Sequence, residues 1–308
     1  MDAASLVTSL SRTIDDTVGT LISDGPLALV DFPGYGNVGD HAVWLGARAC
    51  LKRRDRPLTY VCSEDSYDRR ALGRAVGAGT IVLSGGGNFG DLYPRHQRLR
   101  EQILDDFPLN RVVQLPQSIE YRDAGAARRT REVLDRHPDF TLLVREERSA
   151  AKAAEFFPST PCLLCPDMSL ALGTLDRPVA PTVDLLVLRR RDAEAAAGVH
   201  ATPQAIDWRR SAVLAGLSLA VRSAAPRFAK DALLGTISRS YLRRGCRTLA
   251  RGRRIVTDRL HAHLLALAMG IPHVLCDNSY GKVRSVFETW TSRCPIVSWA
   301  SSWDEAIG

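Results

Sequence analysis

Residues 27–51 read Leu27-Ala28-Leu29-Val30-Asp31-Phe32, then Pro33-Gly34-Tyr35-Gly36-Asn37-Val38-Gly39-Asp40, then a helical pattern from His41 to Leu51. A short apolar run, a glycine-rich turn and an amphipathic stretch, in that order, form the repeating unit of a parallel sheet with crossover helices. The unit recurs along the chain. Strands are predicted at 27–32, 58–62, 80–83, 111–115, 141–144 and 162–165, and the pattern restarts after Pro181 with 184–188, 205–207, 255–257 and 271–276. The fold class that follows is α/β, with two doubly wound, Rossmann-like domains, residues 1–175 and 176–308, and a cleft between them.

With 308 residues, 45% hydrophobic and 24% charged, the chain can bury a sizeable core. No apolar run approaches the ~18 residues of a membrane span, and the opening Met1-Asp2-Ala3-Ala4-Ser5 lacks the basic flank of a secretory signal. A cytoplasmic protein is expected, with seven cysteines that form no disulfide framework. Lysine and arginine total 41 against 34 acids, so anionic partners are favoured. The excess concentrates at 222–254, where Arg227, Lys230, Arg239, Arg243, Arg244, Arg247, Arg251 and Arg253 accompany a single acid, Asp231. Such a run is either a solvated face or a surface for an anionic membrane or a lipid diphosphate, and the second reading is preferred. Aromatic residues make up 6% of the chain and no stacking platform appears, so nucleic acid is not expected as a partner.

In an open parallel sheet, ligands bind beyond the carboxyl ends of the strands. The residues at those ends are therefore the candidates. The loop Gly34 to Asp40 presents free amides at a helix start, which suit an anion or a hydroxyl-rich ligand, or else it is a glycine turn with Asp40 as N-cap. Its glycines run G-x-G-x-x-G, but Glu64 and Asp65 lie beyond the place where a dinucleotide site needs its acid. Ser84-Gly85-Gly86-Gly87-Asn88 places three residues without side chains at a strand end, a costly choice unless something approaches the backbone. It has no Walker-type lysine.

In Ile255-Val256-Thr257-Asp258-Arg259-Leu260-His261-Ala262-His263, Thr257 or Asp258 is expected to cap a helix whose first turn holds Arg259 and His261. A guanidinium and amide dipoles there can hold a carboxylate or phosphate. His263 lies ~200° around the helix from His261, on the apolar face, and is read as packing. Cys162-Leu163-Leu164-Cys165 lacks the two further ligands of a zinc site, so no metal is expected.

Six motifs in order, Gly36-Asn37-Val38-Gly39-Asp40, Leu83-Ser84-Gly85-Gly86-Gly87-Asn88, Gln114-Leu115-Pro116-Gln117-Ser118, Arg145-Glu146-Glu147-Arg148-Ser149, Pro166-Asp167-Met168 and Thr257-Asp258-Arg259-Leu260-His261-Ala262, resemble the polysaccharide pyruvyl transferase family. The resemblance spans about 27–290 and is nearest the bacterial exopolysaccharide branch. It implies a GT-B-like arrangement, phosphoenolpyruvate as co-substrate with no other cofactor, and a sugar acceptor that a lipid diphosphate would carry at the inner face of the membrane. By the same resemblance Arg145, Arg259 and His261 handle the donor; if the chemistry begins with protonation of the donor's methylene carbon, His261 is the candidate acid. Two arginines from opposite domains suit a carboxylate and a phosphate. By strand-end position, Asp40 is the candidate base, Tyr280 and Lys282 reach the donor phosphate, and Asn37, Gly39, Gly86, Gly87, Asn88 and Gln117 form the acceptor side. Two rival readings remain: a glycosyltransferase using a sugar nucleotide, for which Asp277 is the sole carboxylate near a ribose site, and a non-catalytic anion-binding protein of a polysaccharide assembly machine.

Overall fold

The computed structural model describes residues 1–55, 58–191, 205–208 and 212–307, without the side chains of Arg227 and Phe228. The first part runs α1 (Ala3–Leu21), β1 (Leu27–Val30), α2 (Val38–Arg53), β2 (Leu58–Cys62), α3 (Arg69–Val76), β3 (Thr80–Leu83), β4 (Gly86–Gly90), α4 (Pro94–Asp106), β5 (Val112–Glu120), α5 (Ala124–Arg136), β6 (Phe140–Val144), α6 (Glu147–Phe156) and β7 (Cys162–Leu164). The second runs β8 (Val183–Leu188), α7 (Ala212–Ala224), α8 (Arg227–Ala250), β9 (Gly252–Thr257), α9 (Leu260–Ala268), β10 (His273–Leu275), α10 (Lys282–Val286), β11 (Val297–Trp299) and α11 (Trp303–Ile307).

Two parallel sheets result. The first has the order β2-β1-β3-β5-β6-β7, with β4 paired to the far end of β5. Its central strands are apolar throughout because helices cover both faces. The order reverses at β1, which opens a crevice between the loops that follow β1 and β3. In the second sheet, β11-β10-β9-β8, Ile206 bridges the free edge of β8, so the order reverses at β8. The α/β reading of the sequence is the observed fold.

Several local expectations change. The strand predicted at 205–207 is one bridge residue, because Asp207 and Trp208 turn toward the cleft described below. The strand predicted to end at Leu115 continues to Glu120 past Pro116. Pro116 has no N–H to donate, and it falls where the register against β6 shifts, between Gln114 and Gln117. The glycine run read as a loop resumes as β4 from Gly86. Most of the basic stretch is helical: it spans the end of α7 and all of α8, while Arg253 and Arg254 lie in β9.

One core joins the two sheets. Val7, Ile14 and Val18 of α1, Leu29 of β1, Trp44 of α2, Leu234 and Tyr241 of α8, and Leu260 and Leu264 of α9 belong to one buried cluster. Burial at this scale contributes ~25 cal/mol per Å² of apolar surface, so it fixes how the two sets of strand ends face each other. Among the described residues no helix is long and apolar enough to cross a membrane.

Candidate active site

The first wall is built on the β1–α2 loop. Asn37 is the N-cap, its Oδ1 accepting from Gly39 N at 3.0 Å, and the helix starts at Val38. Asp40 is therefore not the cap of the sequence reading; it sits in the first turn, where the helix dipole favours its charge, and it lines the pocket. A Cβ on Gly39 would come within 2.1 Å of His261 Nδ1, so the glycine is what lets the two halves meet.

The second wall is the glycine run. Gly86 has φ +135°, open to glycine and strained for other residues. At Gly87 a Cβ would lie 2.9 Å from Arg145 Nη2 and 3.6 Å from Lys282 Nζ. The missing side chain leaves a space where a guanidinium and an ammonium converge. Beneath it lies a hydrogen-bonded bed. Gln117, fully buried, donates through Nε2 to Ser84 O (3.0 Å) and Asn88 Oδ1 (2.8 Å), and its Oε1 accepts from Asn88 N (3.1 Å). Arg100 Nη2 donates to Asn88 Oδ1 at 3.1 Å. Asn88 lines the pocket; Gln117 supports it from behind.

Arg145, at the end of β6, is almost entirely buried. Its Nε donates to Ser118 Oγ (2.8 Å) and its Nη1 to Asp167 Oδ2 (2.7 Å), and Nη2 lies over Gly87. Its carbonyl accepts from Trp290 Nε1 of the second half at 2.8 Å. Burial alone would raise the Asp167 pKa, but the neighbouring His261 and Arg145 outweigh it and hold the carboxyl well below the usual range. His261 Nε2 stands 3.4 Å from Asp167 Oδ2, an ion-pair distance. That nitrogen is buried with no hydrogen-bond partner among the described residues.

The third wall comes from the second sheet. The helix after β9 begins at Leu260, with Arg259 at the N-cap, so neither Thr257 nor Asp258 caps it. Both are used elsewhere. Thr257 Oγ1 donates to Leu188 O (2.7 Å) and accepts from Arg259 N (3.1 Å), while Asp258 Oδ1 accepts from Arg190 N (2.8 Å). Burial lifts Asp258 to about 6. Arg259 stays at the pocket, forked onto Asp207 at 2.6 and 2.8 Å. Lys282 also lines it, its Nζ donating to Tyr280 Oη at 2.8 Å, whereas Tyr280 stands back from the lining. His263 packs as expected, wholly buried with Nδ1 2.6 Å from His273 Nε2.

The pocket thus gathers Arg145, Arg190, Arg259, His261 and Lys282 against one lining carboxylate, Asp40. Arg190 and Trp208 were not singled out from sequence, although Arg190 follows β8 directly and the strand-end rule points to it. Also missed was the pair His96–Asp31, 2.7 Å apart beside Tyr35 and Tyr93. Burial opposes the charged ring there, but the Asp31 carboxylate outweighs it and raises the His96 pKa. Asp31 holds φ +71°, a strained value at the end of β1.

Fold and pocket together define a two-sheet α/β protein with a strongly cationic cleft between the sheets. A family model described as polysaccharide pyruvyl transferase matches residues 37–280, and the chain belongs to that family of transferases, whose substrates include a sugar acceptor. It is 29% identical to "Putative pyruvyl transferase EpsO" of Bacillus subtilis (strain 168), over 96% of this chain and 94% of the relative. It is 30% identical to "Pyruvyl transferase 1" of Schizosaccharomyces pombe, over 88% of this chain and 71% of that protein. A crystal structure of an uncharacterized protein of Klebsiella pneumoniae subsp. pneumoniae NTUH-K2044 shares the fold, with a TM-score of 0.64 at 15% identity, covering 95% of this chain and 99% of that one.

Proposed function

We propose that this cleft transfers the pyruvyl group of phosphoenolpyruvate to a sugar and closes it as a cyclic ketal. The observation that carries the reading is the convergence of Arg145 Nη2 and Lys282 Nζ over Gly87, with Arg190 and Arg259 on the facing wall. A donor with a carboxylate and a phosphate matches two separated cationic groups. Arg259 already grips one carboxylate, Asp207, so a donor carboxylate reaching it would take that partner's place.

His261 would give a proton to the methylene carbon of the donor, creating a positive centre at C2. One sugar hydroxyl attacks C2 and passes its proton to a base, with Asp40 as the lining carboxylate. The C2–O bond to phosphate then breaks, phosphate keeping the electron pair. A second hydroxyl of the same sugar adds at C2 and loses its proton, which leaves the ketal and inorganic phosphate. Asp167, fixed by Arg145, would orient His261 through the reaction.

A lipid diphosphate as acceptor carrier is favoured by a groove that shares Trp208 with the pocket and is lined by Arg244 and Arg247. Cytoplasmic placement at the inner membrane face goes with that acceptor. The test is phosphate release from phosphoenolpyruvate in the presence of lipid-linked glycan precursors. Release that depends on both substrates supports the reading, and a product lacking the ketal on mass spectrometry would overturn it.

A further inference from the structure

Helix α7 (Ala-Val-Leu-Ala-Gly-Leu-Ser-Leu-Ala-Val-Arg-Ser-Ala, residues 212–224) carries no charge before Arg222, yet most of it faces solvent. Val213 is 73% exposed, Leu217 51% and Leu219 56%, while Ser218 is its sole buried residue. This inverts the usual surface helix, which hides its apolar side. Inward-facing Leu214 and Val221 pack on the cluster that contains Leu234, Ile237 and Tyr241 of α8. Across the seam, Leu233 of α8 is again exposed, at 41%.

The exposed arc of α8 continues from Leu233 through Arg239, Arg243, Arg244 and Arg247, at helical spacing. No ion pair to these four arginines occurs among the described residues. Asp231, the acid in this stretch, is forked onto Arg48 of α2, in a groove that Arg239 also lines. An uncharged apolar helix lying beside an unpaired arginine row is the composition of an interfacial membrane contact.

We infer that the α7–α8 hairpin docks on an anionic phospholipid bilayer, with Val213, Leu217, Leu219 and Leu233 entering the headgroup boundary and the arginine arc lying against lipid phosphates. Charge decides between this occupant and a second copy of the chain, because a self-complementary contact through this face would bring two identical arginine rows together. The hairpin also holds the pocket's first wall. Arg222, bonded to Asp65, fills the space over Gly34, and Tyr241 stacks on His41 at 4.2 Å with its hydroxyl against Gly36. A hairpin resting on the bilayer therefore sets the cleft next to the headgroups, whatever the donor is.

The full chain is tested by cosedimentation with phosphatidylcholine vesicles, with and without phosphatidylglycerol. These vesicles hold neither donor nor glycan, so the outcome speaks to docking alone. Binding is expected to need phosphatidylglycerol and to weaken with salt. Leu217→Asp with Leu219→Asp should reduce it at least ~tenfold, and Arg243→Ser with Arg247→Ser by about fivefold per arginine. All these positions are exposed, so circular dichroism should be unchanged. Absence of binding to phosphatidylglycerol vesicles, or binding indifferent to both double substitutions in folded protein, overturns the proposal. So does a wild-type dimer in solution that Leu217→Asp dissociates.

Discussion

The two walls of the cleft are held by different means. On the first-sheet side, Asn88, Gln117, Arg100 and Gln114 bond to one another and to backbone at 2.5–3.3 Å, and Arg145 is locked by Ser118 and Asp167. On the second-sheet side, Arg259 and Lys282 have separate tethers, Asp207 and Tyr280. A buried, mutually bonded network is costly to disturb at any point, whereas a tethered cation can exchange its partner for a ligand. One wall is thus a preformed bed and the other a supply of exchangeable positive charge.

The sharpest way to break this comparison is to remove one arginine from each wall. Arg145→Ala should abolish turnover and also strand the buried carboxylates of Asp167 and Glu146, costing about 3–5 kcal/mol of stability in chemical denaturation. Arg259→Ala should lose donor binding with a much smaller loss of stability, since Asp207 keeps access to solvent. Equal losses of stability would sink the distinction.

Next in size is the proton path. His261→Asn should lower the turnover number by about 10²–10⁴-fold while leaving donor affinity within a fewfold. Asp167→Asn should change the pH profile of turnover as well as its rate, because it removes the negative charge that faces Nε2. A rate that falls with an unmoved profile would leave Asp167 a merely structural role.

Acid should unfold the protein through its buried histidines. Burial lowers His41 to about 3, His273 to about 4 and His263 well below its ordinary value. Their folded values lie below the unfolded ~6.5, so the unfolded chain takes up protons that the fold refuses as pH falls. The stability tied to these three is complete above about pH 6.5 and is lost below it, by up to ~1.4 kcal/mol per pH unit for each histidine, down to about pH 4, a loss that Asp258, lifted to about 6, offsets in part. Denaturant midpoints at several pH values measure this directly; a flat profile between pH 7 and 5 would contradict it.

Two smaller effects separate the walls further. Gly87→Ala should weaken donor binding by about 1–3 kcal/mol, because the new methyl meets an Arg145 that cannot move aside. Asp207→Asn should tighten donor binding a fewfold by loosening the hold on Arg259, and calorimetry reads both.

How much of this was legible in the sequence follows from the same contrast. Apolar runs bounded by glycine marked most strands, and the ends of β1, β3, β6 and β9 pointed to Asp40, Gly87, Arg145 and Arg259, all of which line the pocket. Asn88 and Gln117 were visible as polar residues, but their bonding to each other across 29 positions is set by tertiary packing. Trp208 escaped notice because the segment predicted as a strand at 205–207 is a single bridge that turns into the cleft, whereas Arg190 stood just past β8, where the strand-end rule pointed, and was passed over. Capping was misjudged at Thr257 or Asp258, and the alternative reading that made Asp40 a cap does not hold either. At Asp40 the cap is Asn37, three residues earlier; at 257–258 both side chains bond to the end of β8 and the residues just after it, partners that nothing local in the sequence reveals.

The central claim is that the cationic cleft binds phosphoenolpyruvate through both walls. Calorimetric titration with phosphoenolpyruvate and with UDP-sugars, on the wild type and on Arg259→Ala, tests it most directly. The account predicts saturable phosphoenolpyruvate binding that the substitution removes; UDP-sugar binding in its place would contradict the account in favour of a glycosyltransferase.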